Sequence, residues 1–215
     1  MAGFYKLRAY TSVILIVICA VIITGCQNNE AKDRQILLVG VAADYPPFEF
    51  IKNKSFYGLD IDLARLMAKK LNKKIQFKNY QYHQLFTALN NNEINLAISA
   101  ISYTKERSQQ FDLSDFYYFT DLAVVFSKSL LINQVADLYG KKVGVQSASI
   151  MADWARSLGQ AQVITMDVSL QLIEALNSNQ VDAIVLEHEQ WSCPLKTIPL
   201  LFLIMPHKFS RRQHF

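Results

Sequence analysis

The sequence predicts an α/β protein made of two similar lobes, and three observations carry that reading. Ile36–Ala42 is continuously apolar, as strands buried on both faces of a helix-covered sheet are. Strand-like runs then alternate with segments of helical spacing, the order expected of an α/β sheet. Finally, the pattern starts again: Lys142-Val143-Gly144-Val145-Gln146 repeats Leu38-Val39-Gly40-Val41-Ala42, and Leu172–Ile184 can be laid beside Leu85–Ala97 without a gap.

Taken in order, Asp44-Tyr45-Pro46-Pro47 ends the first strand, and Phe48–Ile51 reads as a short strand closed by an Asn53-Lys54-Ser55 turn. Gly58-Leu59-Asp60 leads into a helix whose Ile61, Ala64, Met67, Ala68 and Leu71 share one face. Asp60 is its expected N-cap, while Lys69 and Lys70 suit its C-terminal end. A strand begins at Ile75–Phe77, a second helix covers His83–Leu89, and Asn90–Asn92 break it before the strand Ile94–Ile98. Asp121–Ser127 completes the first set of strands. In the second set, Lys142–Gln146 is a strand, Ile150–Leu158 a helix, Val163–Met166 a strand, and Leu172–Ile184 a helix, an asparagine-containing turn and a strand. Two lobes joined near Ser127–Leu131 leave a cleft, a favoured place for a small ligand.

The chain has 215 residues, 51% hydrophobic and 19% charged, with a formal charge of +4. The basic residues are scattered, many of them in the first eight positions, at Lys69–Lys74 and in the last twenty residues. No basic stripe with interleaved aromatics appears, so nucleic acid is not an expected partner. Cys19, Cys26 and Cys193 have neither metal-ligand spacing nor the makings of a disulfide framework, and no metal or cofactor is expected.

Residues 1–25 have the layout of a signal peptide. Lys6 and Arg8 precede an apolar run from Val13 to Ile23, shorter than the roughly 20 residues a spanning helix needs. The alternative is an uncleaved N-terminal anchor. The ending Ile23-Thr24-Gly25-Cys26 resembles the lipobox of bacterial lipoproteins, with isoleucine where leucine is usual. That resemblance implies a lipid on Cys26, membrane attachment through it, and a place outside the cytoplasmic membrane. Polar residues 26–35 read as a tether.

Ser99-Ala100-Ile101-Ser102-Tyr103-Thr104-Lys105-Glu106-Arg107 follows a strand end, where ligands of open α/β sheets gather. A guanidinium with serine hydroxyls ahead of it suits a bound carboxylate. The plain alternative is a surface arginine on a short helical turn.

With that stretch in view, the chain resembles the polar amino-acid-binding proteins of bacterial ABC importers, solute-binding protein family 3. Tyr45-Pro46-Pro47-Phe48-Glu49-Phe50, Gly58-Leu59-Asp60-Ile61-Asp62-Leu63, Ala97–Arg107 and Phe111-Asp112-Leu113-Ser114-Asp115-Phe116-Tyr117 carry the resemblance in the first lobe. Val143–Ser149 and Val181-Asp182-Ala183-Ile184 carry it in the second. It implies a two-lobed fold of the type II periplasmic-binding-protein kind, closing like a hinged trap on a free amino acid destined for an ABC permease. Position by position, it implies that Arg107 holds the ligand carboxylate with Ser102 and Ser149 beside it. The backbone at Ser99 and Ala100 offers a carbonyl and an amide, Glu187 takes the α-ammonium, and Tyr45 and Tyr82 enclose the ligand stem. Left open are plain core packing for Tyr82, helix capping alone for Ser149 and solvation for Glu187.

Two positions depart from the family pattern. Ala148 stands where glycine usually precedes the Ser/Thr, and Ala42 where several members carry an acid for the ligand side chain; Asp44 is two residues away. Side-chain specificity is therefore open between basic and other polar amino acids. The expected division is 36–128 for lobe one, 129–187 for lobe two and 188–215 for a divergent tail. The tail carries three prolines, a hydrophobic burst and basic residues without helix or strand period, as a frameshifted or truncated frame would. Lobe two is accordingly expected to be incomplete. The competing readings are an enzyme on the same fold, such as a cyclohexadienyl dehydratase with His83, Glu49 or Glu187 as acid or base, and a ligand-sensing receptor.

Overall fold

The apolar run that opens the first lobe becomes the middle strand of its sheet. The computed structural model describes residues 35–127, 130–192 and 200–205. The expected leader, Cys26 and most of the tether and tail lie outside the described residues. Strand β1 (Ile36–Val41) is followed by β2 (Asp44–Tyr45), β3 (Glu49–Lys52) and β4 (Ser55–Tyr57), then helix α1 (Leu59–Lys70). Strand β5 (Lys74–Asn79), helix α2 (Gln84–Asn90), strand β6 (Leu96–Ala97) and helix α3 (Lys105–Gln110) complete the lobe. Its sheet is parallel, ordered β5-β1-β6, and a separate antiparallel ribbon joins β2, β3 and β4.

Several local outcomes follow from backbone chemistry. Lys52 pairs with Ser55, so Asn53 and Lys54 form a two-residue hairpin loop; both have positive φ, 49° and 61°, as a type I′ turn requires. Ser55 thus belongs to a strand, Ser55–Tyr57, and not to the turn expected there. Gly58, not Asp60, is the N-cap of α1. Its φ is 123°, and a Cβ there would collide with the Phe48 carbonyl, so only glycine fits. Asp60 falls inside the first helical turn, buried and committed to other partners. The Ile94–Ile98 strand is reduced to Leu96–Ala97, because Asn95 spends its backbone and side chain on Leu38.

Strand β7 (Leu122–Ser127) departs from the expected division, because it enters the second sheet, not the first. A 3₁₀ turn (Val135–Leu138), β8 (Lys142–Gln146), α4 (Ile150–Ser157), β9 (Gln162–Met166), α5 (Ser169–Asn177), β10 (Ala183–Glu187), α6 (His188–Ser192) and β11 (Leu200–Met205) follow. The sheet order is β11-β7-β10-β8-β9. β8, β9 and β10 run parallel, while β7 is antiparallel to both β10 and β11. Leu122–Phe126 are all buried, since neighbours cover β7 on both sides of the sheet. The hydrophobic burst of the tail, expected to lack a strand period, supplies β11: a strand apolar at every position need not alternate. Residues 111–121 carry the chain between lobes without regular structure.

The internal repeat is structural. Asn95 Oδ1 accepts from the Leu38 amide at 2.9 Å, and Asp182 Oδ2 from the Lys142 amide at 2.8 Å. Asn92 and Asn179 follow their helices at the same left-handed φ of 57°. A Cβ on Gly40 would meet Ile94 and Leu85, at 2.5 and 3.0 Å; one on Gly144 would meet Ile184, Leu172 and Val181, at 3.1 to 3.4 Å. Each lobe thus seats a helix and turn over a strand glycine. Two apolar layers per lobe cover the sheets. Leu37, Val39 and Val41 pack with Ile61 and Ala64, and Leu85, Ala88 and Ile94 pack opposite them. Val143 and Val145 pack with Met151 and Ala155, and Leu172, Leu176 and Ile184 pack opposite. Each fully buried leucine or isoleucine contributes about 1.5–3 kcal/mol.

Candidate functional site

The cleft lies where the carboxyl ends of the two sheets face each other. It is a partly open space of about 290 Å³, open solvent included, lined by Ala42, Tyr45, Glu49, Tyr82, Ser99, Ala100, Ser102, Gln146, Ser149, Ile150, Met151 and Glu187. Seven of the eight residues singled out in the sequence are among these, and the eighth, Arg107, adjoins them. The ends of β1 and β6 deliver Ala42, Ser99, Ala100 and Ser102, while β2 brings Tyr45, β3 Glu49 and the turn after β5 Tyr82; the end of β8, the start of α4 and the end of β10 deliver the others.

Arg107 is half-buried in the first turn of α3, whose N-cap Thr104 accepts from the Arg107 amide. Its guanidinium donates to the Ser102 carbonyl at 2.6 Å and, across the cleft, to the Ala148 carbonyl at 2.9 Å. It also stands 4.9 Å from the centroid of the Phe86 ring and 5.9 Å from that of Tyr82, a cation–π arrangement that stiffens a long side chain. Ala148 adopts a left-handed φ of 57°, which is why glycine is the simpler residue there.

Ser149 is buried and caps α4. Its hydroxyl donates to the Gln146 carbonyl at 2.7 Å and accepts from the Ala152 amide at 3.2 Å. The hydroxyl is thereby occupied, but the first residues of α4, Ile150 and Met151, whose amides have no intrahelical acceptor, line the cleft. Ala100 differs from expectation. Its amide donates to Asp60 Oδ2 at 2.7 Å and so turns into its own lobe, away from any ligand.

Glu187 closes the far side, only 4% exposed, where Oε2 accepts from the Tyr45 hydroxyl at 3.0 Å. Burial raises its carboxyl to about 7, opposed by the Tyr45 hydrogen bond and supported by the Glu189 and Asp60 charges. The Tyr45 phenol is pushed well above its usual range by burial and by Glu187. Tyr82 is buried, and burial raises its phenol too, with Arg107 acting in the opposite direction. Asp44 is not in this cleft. Its carboxylate accepts from the Ser169 amide at 2.7 Å and so caps α5 from the opposite lobe. His83 Nδ1, 3.4 Å from Asp167 Oδ1, is a further approach between the lobes.

Gln146, Ile150 and Met151 line the cleft without having been expected there. Gln146 had a signal: it is the polar last residue of a strand whose three middle residues are apolar, and it is buried. Ile150 and Met151 look like ordinary first-turn core and reach the cleft only because α4 starts there.

Comparison with known proteins identifies the family. Residues 37–132 match the model of the bacterial extracellular solute-binding proteins, family 3. The arginine-binding extracellular protein ArtP of Bacillus subtilis is 30% identical over 171 residues, spanning 77% of this chain and 67% of that protein. A probable histidine-binding protein of Campylobacter jejuni is 30% identical over 193 residues, spanning 85% and 75%. Among solved structures, an ancestral arginine-binding protein bound to arginine superposes with a TM-score of 0.75 at 30% identity, covering 82% of this chain and 87% of that one. The chain belongs to the family 3 extracellular solute-binding proteins, and its fold is their two-lobed α/β fold. It is a solute-binding protein.

Proposed function

We propose that the chain captures one free polar amino acid between its lobes and presents it to the permease of an ABC importer. The observation that carries this is the cleft: a guanidinium, a helix start, a buried carboxyl and two phenol rings converge on one small space from opposite lobes. A zwitterion calls for that set. Arg107 holds the α-carboxylate, helped by Ser102 and by the amides that follow Ser149, since a helix start favours an anion. Glu187 and the Ser99 carbonyl take the α-ammonium, and Tyr45 and Tyr82 flank the stem. Ala100 contributes its surface, not its amide. A ligand gripped by Arg107 on one lobe and Glu187 on the other favours the closed arrangement.

The relatives named for arginine and histidine favour a basic or similarly polar side chain. Calorimetry of the full chain against L-arginine, L-histidine, L-cystine and L-glutamine tests this. Saturable one-to-one binding without turnover is the expected result, and a chain that binds none of the free amino acids refutes it.

The lobes are best divided ahead of β7, with residues 111–121 as the crossing. Cys26 is the lipid-bearing residue, and the protein works outside the cytoplasmic membrane, tethered to a bilayer. The lipobox match supports this reading. Mass spectrometry of the expressed chain should find a diacylglyceryl-modified Cys26. A Cys26→Ser chain that stays with the membrane fraction would argue against the anchor.

A further inference from the structure

Two acids lie beneath the cleft wall in the first lobe, Glu49 from β3 and Asp60 from the first turn of α1. They are 1% and 0% exposed. One oxygen of each is accounted for. Glu49 Oε1 accepts from the Ser99 hydroxyl at 2.6 Å, and Asp60 Oδ2 accepts from the Ala100 amide at 2.7 Å and the Tyr117 hydroxyl at 3.0 Å. The remaining oxygens, Glu49 Oε2 and Asp60 Oδ1, are sealed from solvent and have no hydrogen-bond partner among the described residues. The two carboxyl groups act on each other's protonation, and they bind successive residues, Ser99 and Ala100. Two ionised carboxylates buried this close would repel each other and offer no hydrogen to their unpaired oxygens, and one retained proton relieves both.

We propose that Glu49 and Asp60 share a single proton and act together as a positioning pair that fixes the Ser99–Ala100 turn of the amino-acid site. The pair grips that turn at two successive residues. The Ser99 hydroxyl, donating to Glu49, accepts in turn from the Ala42 amide at 3.0 Å, so it is oriented at both ends. Ala100 holds a left-handed φ of 46°, unusual for a residue with a Cβ, and Asp60 anchors its amide there. Ala42, Glu49, Ser99 and Ala100 all line the cleft. The positioning role rests on the ligand site proposed above; the shared proton does not.

The ionisable groups facing the pair are Asp44, Tyr45, Tyr82, Tyr117 and Glu187, every one of them an acid. Nothing among them offsets a second negative charge. Burial, and then the neighbouring Asp60 charge, push Glu49 well above the carboxylate range, while burial raises Asp60 against the pull of the Ala100 amide. Losing the proton sets two buried charges against each other and loosens the turn. Affinity therefore falls on the alkaline side.

Carbon-13 NMR of the full chain with labelled Asp and Glu carboxyls reads the proton directly. In a Glu187→Gln background, where the Glu187 carboxyl does not contribute, one carboxyl signal should remain in its protonated position at pH 7, and it should vanish when either Glu49→Gln or Asp60→Asn is added. If no such protonated signal is tied to both residues, the shared proton is refuted. Calorimetry with L-arginine and the other three amino acids reads the positioning role. Glu49→Gln, which keeps a hydrogen between the two side chains, should bind about tenfold or more tighter than Glu49→Ala. It should also lose the alkaline decline of the unaltered chain. Equal affinities for Glu49→Ala and the unaltered chain overturn the positioning role. If the unaltered chain binds none of the four, the site reading fails, and the carboxyl titration still decides the shared proton.

Discussion

The Tyr45 hydroxyl of the first lobe donates to Glu187 Oε2 of the second across 3.0 Å, inside the cleft. The bond joins strand ends that lie 142 residues apart in the chain. Removing the donor leaves a buried acceptor unpaired, which costs about 1–3 kcal/mol. Tyr45→Phe should weaken amino-acid binding roughly 5- to 150-fold by calorimetry, with the larger share in a faster off-rate. An unchanged off-rate by stopped-flow would show that the bond does not support closure.

Glu187 gives the closed molecule a defined pH response. Its carboxyl is raised to about 7 from an ordinary 4.5, so between those values the folded state holds more proton than the unfolded chain. Its contribution is fully present below about 4.5 and is lost as pH rises through about 7. The loss is on the order of 3 kcal/mol. Urea melts from pH 4 to 8 should show stability falling with pH, and falling less in Glu187→Gln. Parallel curves would contradict the assignment.

Ligand binding should release protons near neutral pH. An α-ammonium beside Glu187 favours the ionised form and drives its proton off. Calorimetry at pH 7 in buffers of different ionisation enthalpy should report a net release of a fraction of a proton, abolished in Glu187→Gln. Zero release would place the ammonium elsewhere.

Arg107 cannot be replaced by another cation without loss. Its two nitrogens bond carbonyls on opposite sides of the cleft, Ser102 and Ala148, which a single ammonium cannot reproduce. Arg107→Lys should cost about tenfold or more in affinity and Arg107→Ala several kcal/mol. Wild-type affinity in either variant would remove Arg107 from the site.

Asp44 caps a helix that belongs to the other lobe. Asp44→Ala leaves α5 without that acceptor at Ser169, a loss of about 1 kcal/mol confined to the closed form. Small-angle scattering should show a larger open fraction in the variant without ligand. Identical profiles would mean that the cap does not favour closure.

Much of the architecture is legible from the chain alone, for reasons of range. The repeated strand, glycine, helix and asparagine turn are local signals, and Leu85–Ala97 and Leu172–Ile184 do occupy equivalent places. The candidate ligand residues Tyr45 through Glu187 follow from motif order and reach one cleft. What the sequence hides depends on distant partners. Asp60 reads as a helix cap, but its real partners are the Ala100 amide and the Tyr117 hydroxyl. The apolar run Leu122–Phe126 reads the same in either sheet; only its pairing with residues such as Val185 and Leu186 decides which lobe owns β7. Asp44 has no local feature that marks it as a cross-lobe cap.

The paired glycines of β1 and β8 provide a built-in control. Gly40→Ala would press a methyl group onto Ile94 and Leu85, and Gly144→Ala onto Ile184 and Leu172. Each change strains one lobe at the same architectural point and leaves the other intact. Comparing the two single variants with the double separates how each half folds from how the halves communicate.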